Sequence, residues 1–332
     1  MNAPIEVDML VICTGEGGTA AAQKCAKARR RVATVNFRPY GGTCVLRNCD
    51  PKKVLIRAAV AVAYPHQLVG FGIAAPATIY WPALMRFKHS FTDRVSDGRE
   101  ASLQKTGVAT YNGPARFLDA NTVQIGDQQM QAKQFILATG AQPRQLQIPG
   151  EELLPDSTVF LDLTELPTDI TSIGGGYIAS EFAHLVARCS VKARIVHRGT
   201  RLLKNFDTDP VEQLVVSSRE IGIEILLITA VFGIEQLRDE QLQLQLHVES
   251  AGQHFTLSTS TAVHAAGQQP ALQELTLERD GVAYGSKGIA VNKYLQEPPR
   301  PEMNAIGDAA DSGLPLTPMA ASNLLKGNYT PR

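Results

Sequence analysis

A glycine-rich turn between a strand and a helix occurs twice in this sequence, and no other feature constrains its fold as much. The first copy has a strand over 8–12, a turn over 13–18, an Ala-rich helix over 19–30 and a second strand over 31–36. The same order recurs over 169–198. In such βαβ units, backbone N–H groups at the helix start hold a pyrophosphate. The sequence therefore predicts an α/β fold with two dinucleotide-binding units, related by internal duplication.

The two turns follow the pattern Gly-x-Gly-x-x-Gly to different degrees. In the first turn Gly15 and Gly18 are in place, but Cys13 occupies the first glycine position. Asn36 stands where an acidic residue for the ribose hydroxyls is expected. On its own, this turn is equally compatible with an ordinary glycine-rich turn. The second turn matches better, with Gly-Gly-Gly-Tyr-Ile-Ala over 174–179.

Basic residues follow the strand of the second copy. Its last position is His197, and Arg198, Arg201 and Lys204 come soon after. An acidic residue at this point suits a ribose hydroxyl, whereas a basic cluster suits a 2′-phosphate. We therefore expect this site to prefer NADPH, with NADH the weaker donor. The alternative is that these charges form only a solvated loop.

Two cysteines lie in the segment Gly-Gly-Thr-Cys-Val-Leu-Arg-Asn-Cys-Asp-Pro-Lys-Lys over 41–53. Cys44 and Cys49 are predicted on the first turns of one helix, slightly more than one turn apart, so a small distortion would allow a disulfide. The helix dipole and the two lysines favour the reactive thiolate. The pattern indicates a redox-active pair, and the alternative is two packing cysteines.

Composition excludes several classes of function. The chain is 44% hydrophobic and 19% charged, which is typical of globular proteins. Acidic and basic residues are equal in number, so there is no excess of positive charge for binding nucleic acid. No apolar run reaches membrane-spanning length and no signal peptide is visible, so we expect a cytoplasmic location. Five cysteines are too few for a secreted disulfide framework, and none has metal-ligand spacing with histidine.

The remaining sequence predicts connecting elements. Helices are expected over 52–66 and 81–106, and a β-meander over 108–138 that ends at Ala-Thr-Gly. A short strand is expected before Gly307-Asp308, and the Leu-Thr-Pro segment over 316–318 opens a last helix.

Taken together, these motifs resemble the flavoprotein disulfide reductases, the family of glutathione reductase, dihydrolipoamide dehydrogenase and mercuric reductase. The resemblance covers about residues 7–326 and rests on five motifs in order. These are the first glycine-rich turn, the segment around Cys44 and Cys49, Ala138-Thr139-Gly140, Gly174 to Glu181, and Gly307-Asp308 with Leu316-Thr317-Pro318.

The resemblance implies two Rossmann-like domains, the second inserted into the first, with β-meanders. Residues 1–145 and 271–332 would form the FAD-binding domain, and residues 146–270 the NAD(P)H-binding domain. The family's C-terminal interface domain, with its His-Glu acid/base pair and main dimer surface, is expected to be absent, which leaves a homodimer uncertain. The implied partner is a small-molecule disulfide or a related acceptor.

The resemblance also implies roles for individual residues. Cys49 would be the thiolate against the flavin and Cys44 the thiol that attacks substrate. Lys52 and Glu181 would form an ion pair near the flavin, and Tyr177 would gate the nicotinamide pocket. Further cofactor contacts are implied for Gly15, Gly17, Gly18, Asn36, Gly42, Thr43, Lys53, Thr139, Gly140, Gly174, Gly176, Ile178, Arg198, Lys204, Gly267, Asp308 and Thr317.

Several positions depart from the family pattern. Cys13 replaces a glycine, Asn36 replaces the ribose-binding acid, Gln268 replaces an arginine, and Asp50 replaces an apolar residue beside Cys49. The leading hypothesis is an FAD-dependent NAD(P)H oxidoreductase that passes electrons to Cys44–Cys49 and on to a disulfide. The alternatives are a non-catalytic remnant that keeps the fold, and a diaphorase that reduces quinones or dyes directly from flavin.

Overall fold

The structure, a computed structural model, describes residues 3–237 and 243–313. The chain forms two compact units, each built from separate stretches of sequence. Among the described residues, the first unit contains 3–49, 92–142 and 268–313, and the second contains 50–91 and 143–267 apart from the gap. Each unit has its own parallel sheet, so the fold is a mixed α/β fold with two Rossmann-like domains.

The strands are numbered in chain order. They are β1 (Ile5–Ile12), β2 (Val32–Asn36), β3 (Ala109–Asn112), β4 (Ala115–Asp119), β5 (Thr122–Ile125), β6 (Gln128–Leu137), β7 (Ala141–Pro143), β8 (Asp169–Ile173), β9 (Lys192–Val196), β10 (Glu224–Leu226), β11 (Thr229–Gln236), β12 (Leu244–Ser250), β13 (Gln253–Thr259), β14 (Thr261–His264), β15 (Gln268–Pro270), β16 (Tyr284–Gly285), β17 (Gly288–Ala290), β18 (Gln296–Glu297), β19 (Arg300–Ala305) and β20 (Ala310–Asp311).

The α-helices are numbered in the same way. They are α1 (Glu16–Lys27), α2 (Gly42–Arg47), α3 (Cys49–Gln67), α4 (Trp81–Thr92), α5 (Val95–Lys105), α6 (Ser157–Phe160), α7 (Tyr177–Ala187) and α8 (Thr208–Glu220). Short 3₁₀ turns cover Glu151–Leu153, Gln273–Leu275, Leu277–Asp280 and Gly307–Ala309. Within the described ranges, none of the helices has both the length and the apolar character to cross a bilayer.

The first unit is organised around a sheet whose central strands are parallel, in the order β19-β6-β1-β2-β3. Strand β1 lies between β2 and β6, with Val11 opposite Thr34 on one side and Ile136 on the other. Apolar residues on both faces of β1 are buried, which is why the strand reads as a continuous apolar run rather than an alternating one. The carboxyl ends of these strands carry the first glycine-rich turn and Asn36.

The predicted β-meander is shorter than the sequence suggested. Only β4, β5 and the start of β6 pair as an antiparallel meander. The segment over 109–112 instead pairs parallel with β2 and extends the dinucleotide sheet, so its assignment to the meander was wrong. A short alternating strand does not reveal whether its partner runs parallel or antiparallel, because the side-chain period is the same in both.

The second unit contains a four-stranded parallel sheet, β10-β9-β8-β14, and an antiparallel sheet, β11-β12-β13. Helix α7 packs its apolar residues into the core of this unit. Residues of α3 and α4, including Leu55 and Trp81, belong to the same core. The Trp81 Nε1–H donates to the Leu163 carbonyl at 2.8 Å, and the buried Lys88 ammonium bonds the Leu161 carbonyl at 3.0 Å. These contacts explain why residues 50–91 group with the second unit, whereas the sequence placed them with the first.

The predicted helix over 81–106 is two helices in the structure. Helix α4 ends at Thr92 and α5 begins at Val95. The chain passes from the second unit to the first between Phe91 and Thr92. The single-helix prediction was therefore wrong, because the apolar faces of the two segments pack into different cores.

Candidate functional site

The first glycine-rich turn joins β1 to α1 and has the close packing that a pyrophosphate cradle requires. Gly15 is the N-cap of α1, and a side chain built there would meet no atom within 4 Å. A Cβ at Gly18 would lie closer than 3.0 Å to the Cys13 carbonyl oxygen, so helix and strand touch at this glycine. The start of α1 therefore faces open space while its base is tightly packed.

Cys13 keeps the backbone conformation of the glycine it replaces. Its φ of 69° lies in the left-handed region, which favours glycine. Burial raises the pKa of the Cys13 thiol to about 12, so the thiol stays protonated and unreactive at neutral pH. The residue is accommodated at a conformational cost of about 1 kcal/mol, and the turn is preserved.

Asn36 is directed at the turn. The Thr14 N–H donates to Asn36 Oδ1 at 2.7 Å, and Asn36 Nδ2 donates to Thr14 Oγ1 at 2.5 Å. Both residues are buried. The side chain at the position of a ribose-binding acid therefore clamps the backbone next to Cys13. Sequence spacing carries no signal for this contact, because it depends on the orientation of both side chains.

The cysteine segment packs directly on this turn. A Cβ on Gly42, whose φ is 74°, would lie closer than 3.0 Å to the Gly15 Cα. Gly41, with φ of 120°, caps α2. These two glycines therefore allow the backbone that leads into Cys44 to approach the first turn closely.

Cys44 and Cys49 lie on two helices, so the prediction of one helix was wrong. Helix α2 carries Cys44, Asn48 interrupts the helix with φ of −151° and ψ of −91°, and α3 begins at Cys49. In an unbroken helix, side chains five residues apart would point about 140° away from each other. The break at Asn48 removes that constraint. Both cysteines are half-buried.

Two further motifs complete the first unit. Thr139 follows β6, and its buried hydroxyl has no hydrogen-bond partner within the described part of the chain. Gly140 has φ of 71° and open space around it. Asp308 lies in the 3₁₀ turn after β19, where burial raises the pKa of its carboxyl group.

These observations test whether the first unit suits a dinucleotide. The uncapped start of α1 and the packed glycines form a cradle that side chains would fill, and the buried Thr139 hydroxyl needs a partner. The residues of the turn therefore fit a pyrophosphate-containing cofactor. At the position expected for a ribose-binding acid, the side-chain amide of Asn36 makes its hydrogen bonds with Thr14.

The second glycine-rich turn joins β8 to α7. A Cβ at Gly174 would lie closer than 3.0 Å to the Ala265 carbonyl oxygen, and Gly174 has φ of 135°. Gly176 is the N-cap of α7 and has open space around it, while Ile178 is buried. Gly267, with φ of 112°, accepts a hydrogen bond from the Arg144 N–H at 3.1 Å.

An ion pair lies on the first turns of α7. Lys52 Nζ donates to Glu181 Oε2 at 2.6 Å, and it lies 5.7 Å from the centre of the Tyr177 ring. Tyr177 and Glu181 are one helical turn apart, so a single ammonium group reaches both. The Tyr177 side chain is 46% exposed, and Lys52 is more buried than its partner.

The basic cluster after β9 separates into two kinds of residue. Arg198 and Lys204 are exposed. Arg201 donates to the Lys204 and Phe206 carbonyls at 2.6 and 2.7 Å and to Thr208 Oγ1 at 2.8 Å. Arg201 therefore braces the loop that presents the other two charges.

Cys25 and Cys189 pack in or against the hydrophobic cores, and His184 is hydrogen-bonded to neighbouring side chains. Cys25 is buried in the core of the first unit and Cys189 packs against that of the second, and burial raises the pKa of Cys189 to about 11. His184 bonds Ser218 Oγ at 2.8 Å and Arg188 at 3.0 Å, and burial lowers its pKa to about 4.

Across residues 3–237 and 243–313, no three His, Cys, Asp or Glu side chains are grouped to hold a metal ion.

Comparison with known proteins decides the family. The family profile described as pyridine nucleotide-disulphide oxidoreductase matches residues 7–323. The chain belongs to the pyridine nucleotide-disulphide oxidoreductase family. Members of this family depend on FAD and use a pyridine nucleotide.

Curated members of the pyridine nucleotide-disulphide oxidoreductase family differ in the substrate they are named for. Glutathione reductase from Nostoc is 31% identical over 327 residues, which covers 95% of this chain and 70% of the relative. Mercuric reductase from Staphylococcus aureus is 30% identical over 304 residues, 89% of this chain and 54% of the relative. Dihydrolipoyl dehydrogenase from the same organism is 28% identical and covers 96% of this chain and 68% of the relative.

A solved oxidoreductase of this family has the same fold. The HOCl-induced flavoprotein disulfide reductase RclA from Escherichia coli matches with a TM-score of 0.82 and 26% identity, covering 96% of this chain and 69% of RclA. Its Cu(II) complex matches with a TM-score of 0.84. The flavoprotein disulfide reductase resemblance expected from the motifs is thereby confirmed.

Four further residues of this chain were predicted from the sequence to bind a cofactor. Gly17 lies in the first turn of α1, while Thr43 on α2 and Lys53 on α3 are exposed. Thr317 lies outside the described residues.

Proposed function

We propose that this chain uses NADPH to reduce a small-molecule disulfide through Cys44 and Cys49. The observation that carries the proposal is the position of the pair. The cysteines lie on either side of the break at Asn48, and Gly42, which precedes them on the same helix as Cys44, packs on the first dinucleotide turn. The cytoplasm, where thiols are kept reduced, suits this chemistry.

The first unit is proposed to hold FAD. Gly15, Gly18 and Gly42 form the cradle for the pyrophosphate, the Thr139 hydroxyl supplies a hydrogen bond, and Asp308 binds a hydroxyl of the cofactor. When bound, FAD supplies the two-electron chemistry that links a pyridine nucleotide to a disulfide.

The cysteine pair is proposed to alternate between disulfide and dithiol. Two electrons and two protons convert the Cys44–Cys49 disulfide into two thiols. The Cys44 thiolate then attacks one sulfur of the substrate disulfide and releases the other as a thiolate. Cys49 attacks Cys44 Sγ, which releases the second substrate thiolate and restores the Cys44–Cys49 disulfide.

The second unit is proposed to hold the nicotinamide donor. The Lys52–Glu181 pair fixes an ammonium group beside Tyr177, whose exposed ring gates the nicotinamide pocket. Arg198 and Lys204, held out by the loop that Arg201 braces, bind the ribose 2′-phosphate.

The function is tested with purified protein supplied with FAD and mixed with NADPH and a chromogenic aromatic disulfide, with glutathione disulfide and lipoamide as further acceptors. We expect one NADPH to be consumed for each disulfide reduced, measured at 340 nm. Protein that binds FAD but oxidises NADPH with none of these disulfides would contradict the proposal and favour the non-catalytic alternative.

The donor preference gives a separate prediction. Arg198→Glu replaces attraction for the 2′-phosphate by repulsion, so we expect the ratio of kcat/KM for NADPH to that for NADH to fall by about tenfold or more. Lys192→Glu, the same charge reversal at the exposed start of β9, is the matched control and should leave the ratio unchanged. An unchanged ratio in Arg198→Glu would mean that the cluster is only a solvated loop.

A further inference from the structure

The imidazole of His197 lies in a slot that two glycines create. A Cβ on Gly175 would lie 2.5 Å from both Cδ2 and Cγ of the His197 ring, and a Cβ on Gly199 would lie 2.5 Å from its Nε2. Any side chain at either glycine would therefore displace the ring. Gly175 is the middle residue of the second glycine-rich turn, so the ring rests on the backbone of that turn.

The backbone of His197 is fixed at the same point. Its N–H donates to the Leu226 carbonyl at 2.9 Å, and its carbonyl accepts from the Thr229 N–H at 3.0 Å. His197 follows the last residue of β9, about twenty residues after the turn, where dinucleotide folds place the side chain that reads the ribose 2′-position. The half-buried, titratable ring of His197 is thus held at the position where an acidic side chain would favour a dinucleotide with a free ribose 2′-hydroxyl.

The charges around the ring come from its own loop. Burial is the main cause that lowers the pKa of His197, the Arg198 guanidinium lowers it further, and a hydrogen bond with the Arg201 backbone partly opposes them. The glycine-rich turn over 174–176 and the segment over 226–229, which pack against the residue, contain no ionisable side chain. In the free protein the ring is therefore neutral at pH 7.

We propose that His197 makes the discrimination between phosphorylated and unphosphorylated ribose depend on pH, with a proton taken up on the ring when a 2′-phosphate binds. The inference rests on the proposed function, since it assumes that the second unit binds NADPH. A phosphate dianion beside the ring stabilises the imidazolium and strengthens its hydrogen bond to the ligand. Affinity for the 2′-phosphate therefore rises as pH falls through the pKa of the complex, and levels off below that of the free protein.

Calorimetric titration with 2′,5′-ADP and 5′-AMP tests the inference on the full chain between about pH 5.5 and about pH 8.5. The variant is His197→Gln, which keeps a planar polar group but does not titrate, and His197→Leu is a second neutral variant. Each pKa unit gained by the ring corresponds to tenfold in affinity. We expect the ratio of the two affinities to change about tenfold more over this range in the unmodified protein than in either variant.

The titration of the phosphate itself is common to all three proteins and cancels in that comparison. Repeating the measurement in buffers of different ionisation enthalpy should show proton uptake with 2′,5′-ADP that both variants lack. Coincident pH profiles for the unmodified protein and the variants would overturn the role of His197. Failure of the unmodified protein to bind either nucleotide would instead overturn the proposed function of the second unit.

Discussion

Replacement of both Cys44 and Cys49 by serine is expected to abolish disulfide reduction while reduction of a quinone or dye by NADPH continues. Serine cannot form the disulfide or take part in thiol exchange, so we expect the rate with disulfides to fall by about a thousandfold or more. The measurement is the NADPH-dependent rate with a disulfide and with a dye, for the same protein preparation.

Cys189→Ser is the matched control for this experiment. Cys189 is also half-buried, but burial raises the pKa of its thiol to about 11 and its role is packing. We expect this variant to keep both activities. Disulfide reduction that survives in the double variant would refute the assignment of the cysteine pair.

Gly42→Ala is expected to destabilise the first unit and weaken its affinity for FAD. The new Cβ would meet the Gly15 Cα closer than 3.0 Å, and the φ of 74° is unfavourable for alanine. Because the clash is with backbone rather than a flexible side chain, we expect a loss of about 2–4 kcal/mol in the free energy of unfolding. Thermal unfolding and FAD titration measure the two effects.

Gly15→Ala separates folding from cofactor binding at the same contact. Gly15 has extended backbone angles and no atom within 4 Å of a built Cβ, so alanine there should change stability by less than about 0.5 kcal/mol. The added methyl group projects into the open cradle, and we expect FAD to bind more weakly. Gly42→Ala protein as stable as the unmodified chain would contradict the packing of the cysteine segment on the turn.

The two βαβ units could be predicted from the sequence because local signals agree there. Buried apolar runs, glycine at the turns and Ala-rich helices all favour the same structure, and only the strand and helix bounds shifted by a few residues. The order of the motifs also identified the family, since each motif has a defined place in its fold.

The helix breaks could not be predicted in the same way. Asn48 and the segment between α4 and α5 lie in sequences with good helical character, and only packing decides where each helix ends. Contacts between side chains were equally hidden. The Asn36–Thr14 clamp and the slot that holds the His197 ring depend on orientations that sequence spacing does not specify.

The central claim is that Cys44 and Cys49 form a disulfide that NADPH reduces. Differential alkylation followed by mass spectrometry measures this directly, in oxygen-free FAD-loaded protein before and after one equivalent of NADPH. We predict that both cysteines are protected before NADPH and alkylated after it, while the buried Cys25 does not change. If dithiothreitol exposes the pair but NADPH leaves its alkylation unchanged, the claim is contradicted.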